Sequence, residues 1–131
     1  MTPKEKVKYI SDWIKSYVDK MPTKAESLVI GISGGIDSSV SSTLSAMTGI
    51  KTIVLSMPIK QINHQHDLSL KHQEWLVKNF KNVEGHTINL DELFLAFSAS
   101  LSKFDNEHGM ANSRARLRMT TLYQVAAANK G

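Results

Sequence analysis

The chain has 131 residues, 41% of them hydrophobic and 21% charged, which is the size and composition of one folded domain and excludes intrinsic disorder and coiled coils. Sixteen lysines and arginines against twelve aspartates and glutamates give a net charge of +4, which suits a phosphate-bearing partner without demonstrating one. No apolar run is long enough to span a bilayer, and the absence of cysteine excludes disulfides and a cysteine nucleophile. We therefore expect a cytoplasmic protein with no membrane partner.

Helices and strands alternate along the predicted chain. Helical spacing of apolar residues predicts helices over residues 3–21, 38–47, 68–80, 91–101 and 112–129. Short apolar runs predict buried strands over residues 28–32, 52–57 and 87–90. The segments 33–38, 60–67 and 103–109 are predicted to be loops. This order predicts right-handed crossovers and a parallel α/β sheet, whose ligands bind beyond the carboxyl ends of the strands.

The loop at residues 33–38, Ser-Gly-Gly-Ile-Asp-Ser, is the segment most suggestive of chemistry. Adjacent glycines permit a sharp turn, and the helix that follows at once adds free N–H groups at its start. These groups form an anion site suited to phosphate, to which Ser33 and Ser38 can add hydroxyl donors. Asp37 would repel a phosphate unless a cation lay between them, and Mg²⁺ is the ion that bridges such oxygens. The alternative is an ordinary strand-to-helix turn in which Asp37 is a first-turn acid.

The last predicted helix carries a stripe of residues at positions i, i+4, i+7 and i+11, which share one face: Asn112, Arg116, Met119 and Tyr123. If this face points inward, the arginine requires an anionic partner. That partner is either the phosphate or carboxylate of a ligand or an internal carboxylate. The internal candidates are Asp91, Glu92 and Asp105.

Both segments resemble motifs of one enzyme group. The loop resembles the SGGxDS signature of the ATP pyrophosphatases and is neither a Walker A loop nor a dinucleotide-binding fingerprint. The segment Asn-Ser-Arg-Ala-Arg-Leu-Arg-Met at 112–119, with Tyr123 after it, resembles the motif N-x-K/R-A-R-x-R-M…Y of the NAD synthetases. The resemblance implies a doubly wound parallel sheet of the adenine-nucleotide alpha hydrolase type, which is Rossmann-like.

The resemblance to NAD synthetases also implies an activity, its ligands and their sites. The activity is an amide ligation that converts deamido-NAD to NAD⁺ with ammonia and ATP, through an adenylated intermediate and with release of AMP and pyrophosphate. Mg²⁺ and a homodimer are implied, and no covalent nucleophile is needed. The residues that the resemblance assigns to ATP are Gly31, Ser33, Gly34, Gly35, Asp37 and Ser38, with Asp37 also the metal ligand. Those that it assigns to deamido-NAD are Asn112, Arg116 and Tyr123.

The chain departs from the family pattern in two respects. Ser56 and Met57 stand near the end of the second strand, where the family often has a basic residue on the adenine side. The family also continues past the last helix, with a strand and loop that supply a threonine, a second Mg²⁺-ligating glutamate and a lysine. We therefore expect residues 1–131 to be a single ATP-pyrophosphatase domain shortened before its last strands, with weak nucleotide binding and little or no turnover.

Two alternative functions stay open at this stage. One is another ATP pyrophosphatase, either similar to GMP synthetase or tRNA-modifying, and the other is a non-catalytic nucleotide-binding fragment. His64, His66 and His72 occur without cysteine, which favours a histidine-rich loop over a metal site. The arginines within 114–118 are spread around a helix without an aromatic platform, which argues against nucleic-acid binding.

Overall fold

The computed structural model describes residues 1–59 and 63–131, and in them a parallel sheet is flanked by helices. The helices are α1 (Pro3–Asp19), α2 (Ile36–Met47), α3 (Asn63–Asn79), α4 (Asp91–Ser100) and α5 (Glu107–Ala128), with a 3-10 turn at Ser102–Phe104. The strands are β1 (Ser27–Ile32), β2 (Lys51–Ser56) and β3 (Val83–Thr87), in the spatial order β1-β2-β3. The predicted parallel α/β sheet is confirmed.

Strand β2 lies at the centre of this sheet. It pairs in parallel with β1, from Ser27 opposite Lys51 to Ile32 opposite Ser56, and with β3 on its other side. Every residue of β2 after Lys51 is buried, because helices cover both faces of the sheet. The register brings the carboxyl ends of the three strands to one edge of the sheet. In open α/β sheets, ligands usually bind at this edge.

The two faces of β2 carry separate hydrophobic clusters. On one face, Ile53 and Leu55 pack with Phe94 of α4 and with partly buried side chains of α5. On the other, Val54 packs with Ala46 of α2 and Leu76 of α3. Alternate residues of a strand point to opposite faces, so one short apolar run supplies both cores. Helices α2 and α3 therefore cover one face of the sheet, and α4 and α5 cover the other.

The predicted strand over 87–90 is wrong except for its first residue. Strand β3 ends at Thr87, and Ile88 and Leu90 instead lead the chain into α4 alongside the end of β2. Leu90 is buried in the core there, which explains its apolar character. Of the residues in β3 itself, only Val83 is buried, because β3 is an edge strand and is half exposed. Such a strand shows no apolar run.

Three helices begin earlier than predicted, and the smallest difference is at α2, which begins at Ile36 and not at residue 38. Helix α5 begins at Glu107, inside the predicted loop 103–109, because Asn106 caps it: Gly109 N donates to Asn106 Oδ1 at 2.9 Å. Helix α3 begins at Asn63, so the histidines at 64 and 66 lie on a helix and not in a loop as predicted. Residues 60–62 of the predicted loop 60–67 lie outside the described residues. In the part of the chain that the structure describes, no helix has the length and apolar character needed to cross a membrane.

Candidate functional site

The glycine-rich loop joins the end of β1 to the start of α2 and therefore lies at the carboxyl edge of the sheet. Gly34 adopts φ +93°, a conformation that residues with a side chain rarely adopt. A Cβ atom at this position would lie 2.5 Å from the carbonyl oxygen of Gln65 in α3. The loop thus packs directly against α3 through backbone atoms, and only glycine fits at residue 34.

Serine hydroxyls hold the loop closed from within. Ser33 N donates to Ser38 Oγ at 3.1 Å, and Gly35 N donates to Ser33 Oγ at 3.2 Å. The two hydroxyl oxygens themselves lie 3.1 Å apart. Gly35 is the N-cap of α2 and has no side chain to accept from the first N–H groups of the helix. These uncapped groups, with the positive end of the helix dipole, are therefore available to an anion.

Asp37 lies in the first turn of α2 and is exposed to solvent. Within the described residues its carboxylate has no hydrogen bond or ion pair, and no group of three or more acidic or histidine side chains is placed to hold a metal. One carboxylate suits Mg²⁺ when substrate phosphates and water supply the other ligands, which is how proteins usually bind Mg²⁺–nucleotide. The donor set thus fits Mg²⁺ that arrives with a nucleotide.

A cavity of about 260 Å³ lies beside the loop, and its lining comes from β1, the end of β2 and α5: Gly31, Ile32, Ser33, Met57, Arg118 and Leu122. Gly31 keeps this cavity open, because a Cβ there would lie only 3.0 Å from Met57 Cε. A larger cavity of about 510 Å³ lies at the opposite edge of the sheet. Its lining carries charges of both signs, with Lys24 Nζ paired to Asp19 Oδ1 at 3.1 Å, and contains no part of the loop.

The stripe on α5 faces outward. Asn112 and Arg116 are exposed, and Tyr123 is 71% exposed. The inward orientation considered for this stripe is therefore wrong. Among the described residues, Arg116 forms no ion pair with any carboxylate. The structure brings together the loop residues assigned to ATP and places the three residues assigned to deamido-NAD on a separate, outer surface.

Comparison with known proteins identifies the family. The sequence model of the family described as NAD synthase matches residues 6–131. The chain belongs to the NAD synthase family. It is 37% identical to the NH(3)-dependent NAD(+) synthetase of Mesoplasma florum, over 98% of this chain and 52% of that protein. It is 35% identical to the protein of the same name from Sulfurisphaera tokodaii, over 90% of this chain and 40% of that protein.

Two solved structures of NAD synthase relatives share the fold. The NMN synthetase of Francisella tularensis superposes with a TM-score of 0.87 at 35% identity, over 99% of this chain and 52% of that one. The NH3-dependent NAD synthetase of Campylobacter jejuni superposes with a TM-score of 0.84 at 26% identity, over 100% of this chain and 55% of that one. The predicted family and the predicted doubly wound, adenine-nucleotide alpha hydrolase fold are confirmed. The chain spans about half the length of the relatives that it matches.

This chain contains a buried serine pair that sequence reasoning missed. Ser69 of α3 is only 1% exposed, and its Oγ donates to the carbonyl oxygen of Ile32 at 2.9 Å. Its oxygen also lies 2.7 Å from Ser56 Oγ, which must then be the donor because the Ser69 proton is already used. This pair joins the ends of β1 and β2 beneath the loop. A serine within a helix carries no sequence signal for such a role.

Arg118 is the second residue that sequence reasoning missed. It lies on the inner face of α5, and its Nε donates to the carbonyl oxygen of Met57 at 2.9 Å. Burial and the nearby charge of Arg114 lower the pKa of this guanidinium, although Asp91 opposes the change. The sequence did contain an indication of this inward position, because Arg118, Leu122 and Val125 fall at i, i+4 and i+7 and so share a face of α5.

Proposed function

We propose that this protein is an ammonia-dependent NAD⁺ synthetase, which amidates deamido-NAD at the expense of ATP. The observation that carries the proposal is the glycine-rich loop, which lies at the carboxyl edge of the sheet in a member of the NAD synthase family. The uncapped start of α2 offers aligned N–H groups to an anion, and Asp37 stands beside them. Other ATP pyrophosphatases would keep this loop, but the family match favours NAD synthesis over them.

The proposed chemistry has two steps. A carboxylate oxygen of the nicotinic-acid ring attacks the α-phosphorus of ATP, so that an O–P bond forms and the bond to pyrophosphate breaks. Ammonia then attacks the carbonyl carbon of the adenylate, AMP leaves, and the new amide loses a proton to water. Phosphoryl transfer of this kind depends on positioning and on stabilising charge more than on covalent help.

The loop would stabilise the departing pyrophosphate. The backbone N–H groups of residues 36–38 are fixed at the start of α2 before the reaction, so they would face the developing charge without a change of conformation. Ser33 and Ser38 keep the loop in this shape through their mutual hydrogen bonds. Asp37 would hold Mg²⁺, and bound Mg²⁺ neutralises phosphate charge. Each donor of this type typically stabilises the transition state by about 3 kcal/mol.

The test of this function is formation of NAD⁺ from deamido-NAD by the full-length enzyme, which is measured with ATP and ammonia present and with each omitted in turn. Asp37→Ala should abolish the reaction while leaving the fold unchanged, since Asp37 is exposed and has no hydrogen bond or ion pair within the described residues. Asp12→Ala, at an exposed helical aspartate whose surface ion pair with Lys8 contributes little to stability, is the control. ATP binding without NAD⁺ formation would show a nucleotide-binding fragment instead, and near-normal turnover by Asp37→Ala would refute the metal role.

We also propose that the outer stripe of α5 binds deamido-NAD through Asn112, Arg116 and Tyr123. Support comes from the motif and from the exposure of these side chains, which leaves their polar groups available. The half-exposed Met119 in the same stripe adds apolar area that a second copy in a homodimer would cover. Arg116→Ala should raise the concentration of deamido-NAD required far more than that of ATP, and equal effects on both would contradict the assignment. Sedimentation at several concentrations tests the dimer.

A mononucleotide substrate is the second candidate. The structure of an NMN synthetase superposes on this chain at 35% identity, compared with 26% for the superposed NAD synthetase. Amidation of a nicotinic-acid mononucleotide would use the same loop and the same adenylate chemistry. Rates measured in parallel with deamido-NAD and with the mononucleotide distinguish the two, because the preferred substrate will show the larger kcat/KM.

A further inference from the structure

Arg118 is held at the carboxyl edge of the sheet by only one of its nitrogen atoms. Its Nε donates to the carbonyl oxygen of Met57, directly after β2, at 2.9 Å. In the described ranges 1–59 and 63–131, neither of its two terminal nitrogens has a hydrogen-bond acceptor. A guanidinium carries five N–H donors, so most of the donor capacity of this half-buried group is unused.

The residue that carries these unused donors lines the cavity beside the loop. Arg118 lines this cavity of about 260 Å³ together with Ser33, the first residue of the loop, and with apolar groups such as Leu122. Among the described lining residues it is the only one that carries a charge. Burying a cation in a mostly apolar lining costs free energy unless an anion accompanies it. Asp91 attracts the Arg118 guanidinium electrostatically, but Asp91 does not line the cavity. The cavity therefore favours an anionic guest.

The neighbouring arginines of α5 are placed differently. The Cζ atom of Arg114 lies 5.5 Å from the centroid of the Phe94 ring, a cation–π contact within the protein. Arg116 is exposed on the outer stripe. Neither residue lines the cavity beside the loop, so Arg114 and Arg118, one helical turn apart, differ in what they face.

We propose that Arg118 binds a phosphate group of the nucleotide with its terminal nitrogens, while its Nε remains on the carbonyl oxygen of Met57. A guanidinium that is already oriented by one hydrogen bond presents two parallel donors, which match two oxygens of a phosphate. The loop and Arg118 would then hold neighbouring phosphates from two sides. The identity of the ligand as an adenine nucleotide rests on the proposed function, whereas anion binding at Arg118 does not.

The experiment uses the 131-residue chain labelled with ¹⁵N. The Nε–Hε resonance of Arg118, assigned by its loss in Arg118→Lys, is followed during titrations with AMP, with pyrophosphate and with adenosine as the uncharged probe. AMP or pyrophosphate should shift this resonance, and adenosine should not. Because a charge-assisted hydrogen bond is strong, Arg118→Gln should weaken AMP binding roughly tenfold or more while adenosine binding changes little.

Arg114→Gln is the matched control and should bind AMP as the unsubstituted chain does. Thermal unfolding of each variant shows whether loss of the bond to Met57 disturbs the fold, and the shift of the resonance itself is measured on the unsubstituted chain. No shift with either anion, an equal loss of AMP and adenosine binding, or the same loss in Arg114→Gln would overturn the proposal. AMP binding without a shift would overturn this assignment alone, and a shift with pyrophosphate in a chain that binds neither AMP nor ATP would overturn the proposed function alone.

Discussion

Replacement of Gly34 by alanine should lower the stability of the protein, because it disturbs the packing of the loop against α3. The left-handed backbone at φ +93° costs a residue with a Cβ atom about 1–2 kcal/mol. The new methyl group would also lie 2.5 Å from the backbone oxygen of Gln65, and backbone cannot swing aside as a flexible side chain can. Overpacking of this kind costs about 1–3 kcal/mol, so the total expected loss is roughly 2–5 kcal/mol.

Gly35→Ala is the control for this change, since it alters the adjacent glycine of the same loop. Gly35 has φ −86°, which any residue adopts, and a Cβ atom there would make an ordinary contact of 3.4 Å with Ser33 Oγ. Alanine is a poorer N-cap than glycine, which costs at most about 1 kcal/mol. Gly34→Ala should therefore lose several-fold more stability than Gly35→Ala, although the two glycines are adjacent in the sequence.

Urea unfolding followed by tryptophan fluorescence measures both variants. With a dependence of about 2 kcal/mol per molar urea, Gly34→Ala should lower the midpoint by roughly 1–2.5 M and Gly35→Ala by about 0.5 M or less. Nucleotide binding is not the deciding readout, because a methyl group at either glycine could obstruct a phosphate. Equal midpoints for the two variants would refute the packing of the loop against the Gln65 carbonyl group.

Two further predictions concern the elements beneath and beside the loop. Ser69→Ala leaves the Ser56 hydroxyl and the Ile32 carbonyl group without this buried partner, so unfolding free energy should fall by about 1–3 kcal/mol, whereas exposed Ser100→Ala should change it by less than about 0.5 kcal/mol. Equal effects would contradict the buried pair. Burial lowers the pKa of His72 below its ordinary 6.5, and a hydrogen bond from the imidazole to the backbone of Ser39 opposes this change only in part. The unfolded chain therefore binds more protons, and stability should fall as pH drops below about 6.5. His72→Gln should lose less stability than the unsubstituted chain between about pH 7.5 and 5.5, and equal losses would refute this sign.

The strand–loop–helix unit at the site could be predicted from sequence because its signals are local. Strand β1 is a short apolar run, the two glycines mark the turn, and the helix follows directly. The start of α1 was equally accessible, since Thr2 and Glu5 form a capping box that depends only on neighbouring residues. Strand β3 was missed because the pattern of an edge strand depends on which residues its neighbour leaves exposed.

The orientation of α5 shows where local signals end. Two faces of this helix carry arginines, one with Arg116 and Tyr123 and the other with Arg118 and Leu122. Periodicity identifies both faces but does not choose between them when both mix polar and apolar side chains. Packing of Leu117 and Leu122 against the core of the sheet turns the Arg118 face inward and leaves the Arg116 face in solvent.

By itself, the sequence determined the family, the parallel α/β class and the position of the glycine-rich loop, because these depend on motifs and on residues adjacent in the chain. Only the tertiary structure decided which arginine meets that loop and which serine supports it. Arg118 reaches the end of β2 across 61 residues of sequence, and Ser69 reaches the end of β1 across 37. Contacts over such separations follow from how helices pack on the sheet, and no local pattern of residues encodes that packing.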